Sequence, residues 1–93
     1  MFLVIATYTI AQGHESAVLE LVRRLELASR EEPGCISFDS YLKVGDDRAL
    51  VLLERYESDR AFESHRATPH FRALVLEGIV PQLTDRRVET FTA

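Results

Sequence analysis

The sequence predicts a single α+β domain, an antiparallel sheet of four strands with its helices on one face. Three observations lead there. The spacing of apolar residues switches from a period of two to a helical period, back, and again along the chain. A Pro33-Gly34 break and a Gly45-Asp46-Asp47 turn signal fall between periodic stretches, the second joining two strands as a hairpin. A length of 93 residues leaves room for one core. The resulting order, β-α-β-β-α-β with a hairpin at its centre, is the ferredoxin-like or split-βαβ arrangement.

Phe2 to Ile10 is rich in β-branched and aromatic residues, holds no Gly or Pro, and reads as the first strand. Its apolar side chains fall on both alternations, so both faces near its start are expected to be covered. Gln12-Gly13 breaks it. From about His14 to Arg30, Val18, Leu21, Val22, Leu25 and Ala28 recur at helical spacing, with Glu15 in the first turn and Arg30 in the last, as the helix dipole favours. Cys35 to Val44 is the second strand and Ala49 to Tyr56 the third. The run Ala49-Leu50-Val51-Leu52-Leu53 is continuously apolar, as in a strand buried on both faces. Ser58 is a good N-cap for a short helix from Asp59 to the region of His65. Thr68 and Pro69 suit the N-cap and first position of another helix, which carries Phe71, Leu74 and Val75 and stops at Gly78. After a connector holding Pro81, Arg87 to Thr92 reads as the fourth strand.

Helices on one face leave the other face of an apolar sheet open. The simplest cover is the same face of a second copy, so a homodimer with sheet packed on sheet is expected.

Composition narrows the function. Hydrophobic residues make up 46%, too many for a disordered chain, and 15 acidic against 11 basic residues give a formal net charge of −4. That balance lacks the basic stripe that nucleic acid or an anionic membrane surface needs. The one cysteine, Cys35, cannot form an intramolecular disulfide and fits a reducing compartment. The apolar N-terminus is cut short by Thr7, Tyr8 and Thr9 and has no basic leader, so it reads as a strand, and no apolar run reaches the ~18 residues of a membrane span. A cytoplasmic location is the expectation.

Titratable and aromatic side chains crowd into one stretch, Leu53 to Phe71, which holds His65, His70, Phe62 and Phe71. A metal site is not expected: His65 and His70 stand five apart with Thr68-Pro69 between them, whereas two ligands on one helix face want a spacing of three or four. The four glycines make no phosphate-binding loop. Cys35 follows Glu31 and Glu32, which blunt a thiol. His65 is the best candidate for a working group, a neutral imidazole among aromatics that can take a proton from a phenol. The alternative is a histidine that caps the helix end or hydrogen-bonds in the core. His70, beside Pro69, reads as exposed or structural, and His14 as solvated. Tyr8, Tyr41 and Tyr56 either hydrogen-bond a substrate or pack. For Glu54 and Arg55, which alternate at the end of the third strand, an ion pair across the sheet or the dimer is expected before a catalytic acid.

Three stretches, Glu32-Pro33-Gly34-Cys35, Leu53-Glu54-Arg55-Tyr56-Glu57-Ser58 and Ser64-His65-Arg66-Ala67-Thr68-Pro69-His70-Phe71, resemble the antibiotic biosynthesis monooxygenase family, its quinol-monooxygenase-like branch most closely. The resemblance runs over nearly the whole chain. It implies a dimeric α+β barrel and oxygenation of quinols, anthrones or related aromatic polyketides by O2 without metal, flavin or haem. It also implies a pocket between sheet and helices, lined by His65 with Phe71 on its wall. His65 is accordingly taken as the catalytic group, and Phe71, Phe62, Tyr41, Tyr56 and His70 as substrate-binding residues. Tyr56 stands where many relatives have Trp. The helix after Phe71 lacks the histidine that haem-degrading relatives use.

Two functions follow as expectations: a cofactor-independent monooxygenase of a phenolic or quinol substrate, or a non-catalytic dimeric binding or stress-response module of the same fold. An RNA-binding domain on this fold is disfavoured by the charge and by the lack of strands that interleave aromatic and basic residues.

Overall fold

A computed structural model describes residues 1–93. Four strands, β1 (Phe2–Ile10), β2 (Cys35–Lys43), β3 (Asp46–Tyr56) and β4 (Leu83–Thr92), form one sheet in the order β2-β3-β1-β4, with every neighbour antiparallel. Helix α1 (Glu15–Arg30) crosses from β1 to β2, α2 (Asp59–Arg66) follows β3, and α3 (Phe71–Ile79) leads through a 3₁₀ turn (Val80–Gln82) to β4. The ferredoxin-like expectation holds in element order and in sheet order. No helix is long and apolar enough to cross a membrane.

Strand register decides which residues meet. Val4 pairs with Glu54 and Thr90, Ala6 with Leu52 and Val88, Tyr8 with Leu50 and Arg86, and Glu54 in turn with Phe38. Opposed residues share a face, so these rows stand under the helices. There Ala6, Tyr8, Ile10, Phe38, Leu50 and Leu52 are buried against Val18, Val22 and Leu25 of α1 and Phe71, Val75 and Ile79 of α3, and Val4 and Tyr56 against Phe62 of α2. Each large side chain buried this way contributes roughly 1.5–3 kcal/mol. The other face carries Leu3, Ile5, Val51 and Leu53, half-buried in the single chain, with Tyr41 and Phe91 at its margins, 57% and 47% exposed.

Several boundaries differ from the sequence reading. The hairpin turn is Val44-Gly45, so β2 ends a residue early and β3 begins at Asp46. The strand β4 begins at Leu83, because it pairs with β1 from Ile10 back to Phe2, and its first half shows no alternation because almost all of it is exposed. The α3 segment is π-helical; the Val80 N–H bonds to the Val75 carbonyl, five residues back. Its buried residues Phe71, Val75 and Ile79 recur every four positions to suit that wider turn. Gly78 does not end it. A Cβ there would meet a Leu21 methyl at 3.1 Å, so the glycine serves close packing of α3 on α1. Ser58 caps α2 as expected, its Oγ accepting the Ala61 N–H at 3.2 Å. His14, at the start of α1, is exposed and its Nδ1 lies 2.9 Å from Gln82 Oε1.

Candidate active site

The site begins with the close approach of the Glu32-Gly34 loop to α2. A Cβ on Gly34 would lie 2.5 Å from Ala61 Cβ, so only glycine lets the loop rest on the helix. The helix α2 turns Phe62 and His65, three apart, toward the sheet. Thr68 ties its end to the next helix. The Oγ1 hydrogen of Thr68 goes to the His65 carbonyl at 2.8 Å, and the same oxygen accepts the Phe71 N–H at 3.1 Å. Pro69 and His70 already turn helically, which brings His70 back over His65.

Glu32 is thereby placed between two imidazoles. Its carboxylate accepts from His65 Nδ1 at 2.9 and 3.1 Å and from His70 Nε2 at 2.6 Å. A carboxylate only accepts, so both ring nitrogens that face it carry protons. Burial lowers the His65 pKa, against the opposing pull of Glu32, and keeps the ring neutral. Its other nitrogen, Nε2, is then a free acceptor, 3.9 Å from Glu54 Oε1. Tyr56, Phe71, Phe38 and Phe62 surround the ring, with centroids 5.2 to 6.1 Å away.

On the other side of Glu54 is a cavity of about 210 Å³. Val4, Ala6 and Tyr8 of β1 form its floor, Phe62 and Arg66 of α2 and Phe71 of α3 its walls, and Arg86 and Val88 its outer edge on β4, which no helix covers. Glu54 is 4% exposed, and its Oε1 accepts the Tyr56 hydroxyl proton at 2.6 Å. Burial pushes the Glu54 carboxyl up to about 7, helped by the charge of Glu32 and opposed by the Tyr56 hydrogen bond and Arg86. The phenols of Tyr8 and Tyr56 are raised by burial, so both stay protonated. The Arg66 guanidinium stands 4.8 Å above the Phe62 ring, and Arg66 and Arg86 give the cavity two cations. An apolar cavity with one carboxyl poised near neutrality, backed by a neutral imidazole, can take and pass on a proton.

The sequence reading placed its residues unevenly. Phe62 and Phe71 are on the cavity wall. His65 is not; it sits behind them and reaches the cavity through Glu54. Tyr56 lies beneath His65 with its hydroxyl on Glu54, and His70 is on the far side of Glu32. Tyr41 is on the opposite face of the sheet, paired with Val51, because its parity in β2 is opposite to that of the buried Phe38. Glu54 and Arg55, on opposite faces as neighbours in a strand are, find no Arg, Lys or carboxylate partner across the sheet of the single chain; Glu54 accepts from Tyr56 and Arg55 donates to Ser37 Oγ at 3.3 Å. Cys35 is blunted further by burial and by Glu32 and Glu54, which push its thiol up to about 11. The spacing argument against metal considered one helix face only. The break between helices at Thr68-Pro69 and the loop after α1 gather donors of Glu32, His65 and His70 within 4.8 Å of one another. The sequence reading did not place Glu32 or Glu54 among the site residues. Glu54 shares the parity of Leu50, Leu52 and Tyr56, which marks it as an acid on a buried face, whereas nothing local marks Glu32.

Comparison with known proteins follows the same lines. A sequence model described as "Antibiotic biosynthesis monooxygenase" matches residues 1–76. A Mycobacterium tuberculosis protein, named only provisionally as a monooxygenase, is 38% identical over 68 residues, 73% of this chain and 66% of that protein. A Bacillus subtilis protein, also named provisionally as a monooxygenase, is 36% identical over 50 residues, 54% of this chain and 53% of its own length. The chain thus spans about half to two thirds of the curated relatives it matches. A crystal structure described as an antibiotic biosynthesis monooxygenase superposes with a TM-score of 0.93 at 32% identity, covering 100% of this chain and 98% of its own. The solved structure of the Mycobacterium tuberculosis protein gives 0.91 at 31% identity over 99% of this chain and 93% of its own.

Proposed function

The chain belongs to the antibiotic biosynthesis monooxygenase family, and on that premise we propose that it oxygenates a quinol or related phenol with O2, the reacting hydroxyl docked on Glu54. The observation that carries this reading is the Glu54 carboxyl, poised near 7 in an aromatic cavity. A phenol titrates at ~10, so proton transfer to an ordinary carboxylate is uphill by roughly 8 kcal/mol, at ~1.4 kcal/mol per pH unit. With the Glu54 carboxyl raised to about 7 the climb falls to roughly 4 kcal/mol. Arg66 and Arg86 favour the phenolate that forms. The proton passes from Glu54 to His65 Nε2 by closing the 3.9 Å gap, and Glu32 stabilises the imidazolium from the other side. Glu54 is the group that touches substrate, and His65 acts through it.

Ground-state O2 is a triplet and combines with a closed-shell molecule only after one electron moves to it. An electron-rich phenolate supplies that electron itself. The radical pair then couples to form a C–O bond, and the O–O bond breaks as water leaves. For a quinol the balance closes with no further reductant: quinol plus O2 gives hydroxyquinone plus H2O, all four electrons coming from the substrate. The residues around the cavity bind, deprotonate and keep the pair dry. A cavity of about 210 Å³ is below the ~300 Å³ of ordinary drug-sized sites and suits one or two fused rings. The open sheet face is read as the seat of a second copy, which covers Leu3, Ile5, Val51 and Leu53.

The test is oxygen uptake by the purified protein with freshly reduced menadiol as the probe quinol, and mass analysis of the product under ¹⁸O2. Uptake of one O2 per quinol with one labelled oxygen in a hydroxyquinone is expected. Menadiol that binds and quenches fluorescence but is oxidised no faster than in buffer refutes oxygenation of this class and leaves the binding module.

A further inference from the structure

We propose that Glu32, His65 and His70 form a binding site for a divalent transition-metal ion of the zinc class, behind the cavity and sharing His65 with its proton path, so that an ion bound there blocks the passage of the proton to His65. Three different pieces of the chain supply the donors: the loop after α1, the inner face of α2 and the turn that opens α3. Two imidazole nitrogens and one carboxylate oxygen make a donor set that zinc and its neighbours take, with further positions left for water. Donors around a tetrahedral zinc stand about 3.3 Å apart, given bonds of ~2.0–2.2 Å. Here Glu32 Oε2 is 2.9 Å from His65 Nδ1 and 2.6 Å from His70 Nε2, and the three donors all lie within 4.8 Å. Side-chain shifts of about 1 Å close them around an ion.

A second feature points the same way. A histidine that binds metal through one nitrogen is held by an acceptor at the other, commonly a carboxylate. His65 is placed for this arrangement: Nδ1 faces the cluster and Nε2 faces the buried Glu54 carboxyl at 3.9 Å, too far for a hydrogen bond in the metal-free form but within reach of a small side-chain shift once Nε2 carries the proton. An entry path exists as well. A surface opening lined by Glu32, Pro33, Gly34, Ala61, Ser64 and Thr68 leads to the carboxylate edge. In the metal-free form the protons on His65 Nδ1 and His70 Nε2 take the place of the ion, which explains why a carboxylate so far buried carries two imidazoles.

The probe is Zn²⁺ added to the chelator-treated full chain in a calorimeter, with Co²⁺ absorption as a spectroscopic reporter. One ion per chain is expected, with affinity lowered at least ~10-fold in His70→Ala and in Glu32→Gln, the scale that even outer-shell losses reach. Circular dichroism checks that both variants stay folded. His14→Ala, which removes the exposed histidine at the start of α1, is expected to bind like the parent. The Co²⁺ form is expected to show the ligand-field bands of a nitrogen-oxygen site and no thiolate charge-transfer band. Unchanged affinity in both folded variants, loss of binding in His14→Ala alone, a thiolate band from Cys35, or no saturable binding overturns the proposal. None of these readouts depends on turnover.

Discussion

Replacing Glu54 by glutamine has a consequence for stability that can be calculated before any substrate is known. The Glu54 carboxyl stands at 4.5 when unperturbed and at about 7 in the fold, chiefly through burial. The folded state therefore holds the proton more tightly than the unfolded chain. Its contribution is fully present below 4.5 and is lost as pH rises to about 7. At ~1.4 kcal/mol per pH unit the full loss is about 3 kcal/mol, of which about 2–3 kcal/mol falls between about pH 5 and about pH 8. His65 acts in the opposite sense. Its lowered pKa makes the fold less stable as pH drops below 6.5, where the unfolded histidine protonates first. The two slopes partly cancel in the parent protein. Subtracting the parent curve from that of Glu54→Gln removes His65 and every other shared group. The variant keeps the side-chain oxygen that accepts from Tyr56. Urea unfolding at a series of pH values is the assay. The variant should gain on the parent by about 2–3 kcal/mol across that range, a shift of about 2–3 M in urea midpoint at an m-value near ~1 kcal/mol/M, the lower end for small domains. Parallel curves for the two proteins would show that Glu54 titrates at an ordinary value and would refute the account of the cavity carboxyl.

Gly34→Ala should destabilise by about 1–3 kcal/mol, because the new Cβ is driven to 2.5 Å from Ala61 Cβ. A thermal midpoint lowered by at least ~5 °C is expected, and an unchanged midpoint would show that the loop does not depend on this approach. Leu53→Lys puts a charge in the middle of the open sheet face, beside Ile5 of β1, and should yield monomers by light scattering where the parent gives dimers. A parent that is monomeric at tens of micromolar, or a variant that stays dimeric, would contradict a second copy on that face.

The sequence was most legible where periodicity was strong. The elements β1 and α1 were read to within a residue, because nine consecutive strand formers and a clean helical stripe leave few alternatives. Elements that depend on partners were less legible. The first half of β4 has no alternation to read, and its length is set by pairing with β1. The stripe Phe71, Val75, Ile79 suits an ordinary α-helix as well, so nothing in it marks the π-helical turn. The site divides in the same way. Phe62 and His65 were visible as an inward pair on α2. Tyr41 was expected at the pocket although strand parity put it opposite Phe38, and Glu54 was set aside as an ion-pair partner although the same parity put it with Leu52 and Tyr56. Glu32 was out of reach: it is 33 residues from His65 in the chain, and only the Gly34-Ala61 approach brings the two together.

The central claim is that Glu54 receives the substrate's proton, and oxygen uptake by Glu54→Gln at saturating quinol tests it most directly. The parent rate should climb with pH through about 7 as the carboxyl ionises. The variant should be slower by ~10²–10⁴-fold in turnover, with little change in KM and no such climb. A variant that keeps the parent's rate and pH profile would contradict the account.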